Sequence, residues 1–119
     1  MKYLIFIALL TPRVTLVDAI IQVESRGNDS AFNAAENAVG CLQIRPIMVR
    51  EVNRLIGWEV YTLEDRWDRE KSIEMFNVIK DHVENPTGEK IARIWNGGWD
   101  GWKQSSTIAY WEKVKEELR

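Results

Sequence analysis

The chain has 119 residues, 45% of them apolar and 29% charged, which is enough for one buried core and too little for two, and too apolar for a disordered chain. Sixteen Lys and Arg against eighteen Asp and Glu leave a net charge of −2, so the cationic excess that phosphate backbones or anionic membrane surfaces attract is missing, and nucleic acid is not an expected partner. A lone cysteine, Cys41, and a lone histidine, His82, allow neither an internal disulfide nor a thiolate or histidine metal cluster, and no cofactor or metal is expected.

Residues 1–11 form a separate unit. Met1-Lys2 precedes the apolar run Tyr3 to Leu10, which has the basic start and short hydrophobic stretch of a secretory signal and is too short to cross a bilayer as a helix. No small-x-small cleavage site follows, so an apolar lead-in packed on the domain stays open as the alternative. Stable membrane insertion is not expected. Pro12 separates this unit from residues 12–119, which read as one domain and as a monomer.

Thr15-Leu16-Val17-Asp18 is a capping box, and Leu16, Val17, Ile20, Ile21 and Glu24 follow at helical spacing until Gly27 offers a left-handed stop. The stretch 27–44 is rich in Gly, Asn, Asp and Ser and reads as a loop wrapped around something. Pro46 opens a second helix through Ile47, Val49, Val52, Leu55 and Ile56, capped by Gly57. Around Trp58 to Thr62 lies the best strand candidate, and it is short. Asp68 caps a third helix with Ile73, Phe76, Ile79 and Val83 on one face. Thr87 starts a fourth, carrying Ile91, Ala92, Ile94 and Trp95 and halting at Asn96-Gly97-Gly98. The last runs from about Thr107, with Ile108, Trp111, Val114 and Leu118 as its apolar stripe. The fold class is mainly α.

Glu24 stands at the end of an otherwise apolar helix, where a carboxyl is half-buried. Desolvation raises the pKa of such a group, so it can hold a proton near neutral pH and donate it to a leaving oxygen. Six tryptophans are many for this length. For Trp99 and Trp102, bracketed by glycines, sugar stacking and core packing are both open, whereas Trp58, Trp67 and Trp111 are assigned to the core.

Three segments in order, Glu24-Ser25, Ala38-Val39-Gly40-Cys41-Leu42-Gln43-Ile44 and Ala92-Arg93-Ile94-Trp95-Asn96-Gly97-Gly98, resemble the E-S, G-L-M-Q and A-Y-N-A-G motifs of the soluble lytic transglycosylases. A fourth, Thr107 to Val114, is similar to that family's closing helix, where a tyrosine recurs. The resemblance covers the chain from about residue 15 to its end. Cys41-Leu42 stands where the family has Leu-Met, and Trp95 where it has Tyr; the lost hydroxyl leaves any bond it made without a donor here.

The resemblance implies a lysozyme-like helical domain with a substrate cleft, acting on the peptidoglycan glycan strand at the β-1,4 bond from N-acetylmuramic acid to N-acetylglucosamine. Glu24 would be general acid and then general base, closing a 1,6-anhydro ring. Ser25 would bond Glu24 or the acetamido group, Gln43 and Asn96 would bind sugar polar groups, Tyr110 would face the cleft near the acid, and Trp95 and Trp99 would contact substrate. Export to the periplasm or cell envelope, or delivery to the wall by a phage, is implied with it. Two rivals remain: a goose-type lysozyme hydrolysing the same bond with water activated by Asp29 or Asp100, and a non-catalytic peptidoglycan-binding module. The absence of Lys and Arg runs gives little support to a cationic wall-binding patch.

Overall fold

A computed structural model of the chain describes residues 13–119. The segment 1–11 and Pro12 therefore lie outside the described residues. Five α-helices are present among the described residues: α1 (Leu16–Ser25), α2 (Pro46–Ile56), α3 (Arg69–Asp81), α4 (Gly88–Gly97) and α5 (Ile108–Glu117). Each starts where its sequence signal places it. The Thr15–Asp18 capping box closes in both directions, Pro46 occupies the first turn of α2, and the Asp68 and Thr87 side chains accept from the backbone N–H groups of Lys71 and Lys90.

The helices bury one face each. α1 packs against α5 and α4, and α3 against α2 and α4. Ile20, Leu42, Val52, Met75, Phe76 and Val114 fill the centre, and Phe76 meets Trp95 edge to face at 5.2 Å and 68°. Among the described residues no helix is long and apolar enough to cross a membrane.

Several sequence expectations change. The loop 27–44 contains a hairpin, β1 (Phe32–Asn33) paired antiparallel to β2 (Ala38–Val39), too short to show alternation. The stretch Trp58 to Thr62 forms no strand, because the Asn53 side chain takes the backbone groups a ladder would need. Its Oδ1 accepts from the Val60 and Tyr61 N–H groups at 3.1 and 3.0 Å, and its Nδ2 donates to the Tyr61 carbonyl at 2.9 Å. Helix α1 ends on Arg26, which adopts φ 54°, with Gly27 following at φ 83°.

The assignment of Trp58 and Trp67 to the core is also corrected. Trp58 is 68% exposed on the segment after α2, and Trp67 lies at the surface, tilted against Phe32 at 6.2 Å. Ile47, Ile56 and Ile108 are exposed as well, because each helix buries a narrower face than its apolar residues define.

A short 3₁₀ segment, Leu63–Trp67, joins this surface to α3 and holds the loop 27–44 from behind. Arg66, only 6% exposed, donates from Nη1 to the carbonyls of Asn37 and Ile44 at 2.8 and 3.1 Å and from Nε to that of Leu63 at 2.9 Å. Gly40 passes so close behind it that a Cβ there would lie 1.9 Å from the Arg66 carbonyl oxygen, and its φ is +83°. Gly40→Ala should therefore lower stability by about 3 kcal/mol or more in a urea melt. Gly57→Ala is the control: its φ is +103° but nothing lies within 4 Å of the added carbon, and the loss should be near 1 kcal/mol.

Candidate active site

The last turn of α1 delivers Glu24 to a small polar cleft of about 210 Å³, whose walls include Asn33, Glu36, Gln43, Arg45, Trp95 and Asn96. Tyr110 on α5 reaches across the α1–α5 contact, and its hydroxyl donates to Glu24 Oε2 at 2.9 Å. Among the described residues no protein donor reaches Oε1.

Glu24 is pushed up from an ordinary 4.5 to about 7. Loss of hydration on burial is the largest cause; the Tyr110 hydrogen bond and the charge of Arg45 pull the other way, and the nearby Glu36 carboxylate adds to the rise. Burial and the carboxylate at its side raise the Tyr110 hydroxyl well above the usual phenol range, so it remains a donor.

Among the residues that the sequence singles out, the structure brings Glu24, Gln43, Trp95, Asn96 and Tyr110 together. Their parts differ from those expected. Gln43 adopts φ 50° and spends its amide N–H group on the loop, donating to the carbonyls of Ala31 and Gly40 at 3.2 and 3.0 Å. It lines the cleft as a brace with its oxygen still available. Trp95 is 4% exposed and packed on Phe76, so it forms a floor and does not offer a free stacking face. Asn96 is exposed, and its side chain has no protein partner among the described residues.

Ser25 is a correction. Its hydroxyl bonds neither Glu24 nor the cleft; it donates to the Cys41 carbonyl at 2.8 Å and the Ile21 carbonyl at 3.2 Å, and accepts from the Gly27 N–H. It staples the end of α1 to the loop, and so fixes where Glu24 begins. Cys41 itself is buried, and burial pushes its thiol up.

Trp99 lies outside the acid cleft, on a larger groove of about 670 Å³ that adjoins it through Arg45, Met48 and Asn96. Its Nε1 donates to Glu51. Trp102 lines neither space; the Lys90 ammonium sits 4.6 Å from its ring centre. Gly97 makes room for the Thr107 methyl, which would meet an added Cβ at 2.7 Å, so its lack of a side chain serves packing.

The expected second carboxylates are not at this cleft. Asp29 lies 3.0 Å from Arg69 Nε on the back of the loop, and Asp100 sits on the exposed turn after α4. Glu36 is the carboxylate that shares the cleft with Glu24. Sequence reading passes over it, as it does Asn33 and Arg45, because only the hairpin turn carries the segment 33–36 over the end of α1. The Asn33 side chain holds that turn, accepting from the Glu36 N–H at 3.4 Å.

Among the described residues, no group of three His, Cys, Asp or Glu side chains is arranged to hold a metal ion. Comparison with protein-family models, with curated proteins and with solved structures finds no match.

The raised pKa has a thermodynamic signature. Below pH 4.5 Glu24 is protonated both folded and unfolded; from 4.5 through 7 the unfolded chain ionises it freely while the fold resists, so stability falls across that window and levels off above it. Glu24→Gln should remove this slope and be more stable than the native protein at pH 8, as thermal melts across the pH range will read. Tyr110→Phe should move the Glu24 titration upward, because the lost hydrogen bond favours the anion; carboxyl-carbon NMR reads that shift directly.

Proposed function

We propose that the protein is a lytic transglycosylase with a lysozyme-like fold, cleaving the β-1,4 bond between N-acetylmuramic acid and N-acetylglucosamine in peptidoglycan. The observation that carries this reading is Glu24, half-buried, held by Tyr110 and protonated to about pH 7 at the edge of a polar cleft. A carboxyl in that state supplies the proton that the leaving sugar oxygen needs. The order of the four sequence motifs supports the choice of substrate.

In this mechanism Glu24 protonates the glycosidic oxygen and the bond from that oxygen to the muramyl C1 breaks. The acetamido oxygen of the same sugar closes onto C1 and takes up the developing positive charge. Glu24, now a carboxylate, removes the proton of the C6 hydroxyl, whose oxygen attacks C1 and releases the acetamido group. The 1,6-anhydro ring forms, Glu24 regains its proton, and no water is consumed. Tyr110, donating to one carboxyl oxygen throughout, leaves the other to carry the moving proton. Asn96, and Gln43 through its oxygen, bond sugar polar groups in this mechanism, a reading that their position on the cleft wall supports. Such a substrate lies in the cell wall, so the reading carries with it export or delivery to the envelope.

Glu36 favours a second reading. A carboxylate on the same cleft as the acid can activate water, and the reaction is then hydrolysis by two carboxylates. This is the goose-type lysozyme alternative with Glu36 in the place given to an aspartate.

Digestion of purified peptidoglycan followed by mass spectrometry separates the two, since an anhydro end is lighter by one water than a reducing end. The expected product is the anhydro form, and Glu36→Gln should leave its formation intact; a reducing end, lost in Glu36→Gln, would establish the hydrolase. In either chemistry Glu24→Gln should lower fragment release by at least about a hundredfold with unchanged circular dichroism. The native rate should fall as pH rises above 7, where Glu24 loses its proton. Undiminished release by Glu24→Gln would refute the mechanism, and binding of strands without any release would assign a binding module.

A further inference from the structure

One side chain behind the cleft ties together the two stretches of loop that form part of its wall. Arg66 is buried and does not line the acid cleft, and among the described residues no carboxylate lies within ion-pair distance of it. Its Nη1 donates to the carbonyl of Asn37 at 2.8 Å and to that of Ile44 at 3.1 Å, while its Nε holds the Leu63 carbonyl at 2.9 Å. Asn37 follows Glu36 and Ile44 follows Gln43, and both Glu36 and Gln43 line the cleft with Glu24. Asn37 and Gln43 have φ of 52° and 50°, in the left-handed region that residues other than glycine disfavour. Such backbone persists only where its surroundings over-determine it. The Arg66 bonds fall beside each of these two residues, and Arg66 is itself tied down: the Ser72 hydroxyl, fully buried on α3, donates to its backbone carbonyl at 3.1 Å.

The titratable and charged groups about Glu24 come from three elements: Tyr110 from α5, Arg45 from the start of α2 and Glu36 from the hairpin. Helix α4 adds only the uncharged Trp95 and Asn96. Tyr110 and Arg45 are carried by helices. Glu36 is carried by a hairpin two residues deep on each side, and a ribbon that short does not hold its own shape in water. The separation of the two carboxylates is therefore set from outside the hairpin, through the carbonyl next to Glu36 that Arg66 holds. A guanidinium reaches these three carbonyls from one rigid planar fork, whereas an ammonium on a flexible stem cannot keep the same spacing.

We propose that Arg66 is a positioning residue for the reaction: touching neither Glu24 nor substrate, it holds Glu36 and Gln43 at the places on the cleft wall from which they set the behaviour of the acid. This role rests on Glu24 being the proton donor of the proposed reaction, and it extends the working site to a side chain behind the loop.

The test follows the Glu24 carboxyl carbon by NMR across the pH range in Arg66→Lys, which keeps the charge and loses the fork. Proton binding to Glu24 should weaken about threefold or more, because the like charge of Glu36 recedes and water enters. The pH above which fragment release falls should move down with it. In a Glu36→Gln background the same substitution should change proton binding by less than about twofold, since the group through which Arg66 acts no longer carries charge. Gly57→Ala, which lowers stability away from the loop, should leave the titration where it is. Ser72→Ala frees the Arg66 carbonyl and keeps the guanidinium, so it should give a smaller shift in the same direction; it decides the matter if circular dichroism shows Arg66→Lys unfolded. An unmoved titration in the folded variants, or an equal shift with and without Glu36, would overturn the assignment. The transglycosylase reading is scored separately, by release of anhydro ends from whole peptidoglycan by the native protein. A shifted titration without such release would uphold the role of Arg66 in placing Glu36 and sink the enzyme; release with an unmoved titration would do the reverse.

Discussion

The cleft depends on how the largely irregular backbone between α1 and α2 is held, since a two-residue hairpin pairs only part of it. A buried carbonyl without a donor costs about 1 to 3 kcal/mol, and the hairpin and turns of this loop satisfy only some of its carbonyls through backbone N–H groups. Side chains from outside the loop, and one from within it, add donors, in part to the Ala31, Gly40 and Ile44 carbonyls that already accept from backbone N–H groups. Ser25 takes the carbonyl of Cys41, Arg66 those of Asn37 and Ile44, Arg69 that of Gly27, and Gln43 those of Ala31 and Gly40. Two of these donors are guanidinium groups, which can satisfy several acceptors at once. The hairpin between them is only two residues deep on each side, yet it places Glu36 and Asn33 over the end of α1.

That scaffold makes an unusual demand on Glu24. Burial strips water from the carboxyl, and Glu36 approaches with like charge. Tyr110 and Arg45 oppose these effects but do not overcome them, and the balance settles at about 7 in place of 4.5. A group so poised is protonated in much of the population at neutral pH, yet can release its proton without first being exposed to solvent. The fold tolerates a carboxyl that resists ionisation at a position where an amide would sit more comfortably. Such local disadvantage is a usual mark of a working site.

The helices were legible because their ends are written in local chemistry. Thr15, Asp68 and Thr87 cap by bonds to backbone three residues on, Pro46 pre-sets the first turn of α2, and Gly57 takes the left-handed exit. The stretch 58–62 misled because its apolar residues were read by propensity alone, while its backbone groups are bound by Asn53 from a neighbouring helix. Trp58 and Trp67 misled for a related reason. A large ring is not obliged to be buried, and whether helices close over it is a property of their crossing, which no single segment contains.

For the site, the line of division follows the range of each interaction. Glu24 at the end of an apolar helix, Tyr110 on the last helix and Asn96 before its glycines could each be found as residues, since each stands at a helix position that a short window describes. The work of Ser25 and Gln43 could not, because a hydroxyl or an amide beside a cleft can face a ligand or a loop carbonyl, and only the chain's return path decides which. The same holds for Glu36 and for Arg45, whose nearness to Glu24 and to one another arises where a hairpin, a helix end and a helix start converge. Sequence by itself determined the helices, through bonds spanning three or four residues, and singled out Glu24 as the carboxyl that closes an apolar one. The tertiary structure alone decided which side chains surround that acid, because electrostatic neighbours and shared grooves depend on distances between segments far apart along the chain.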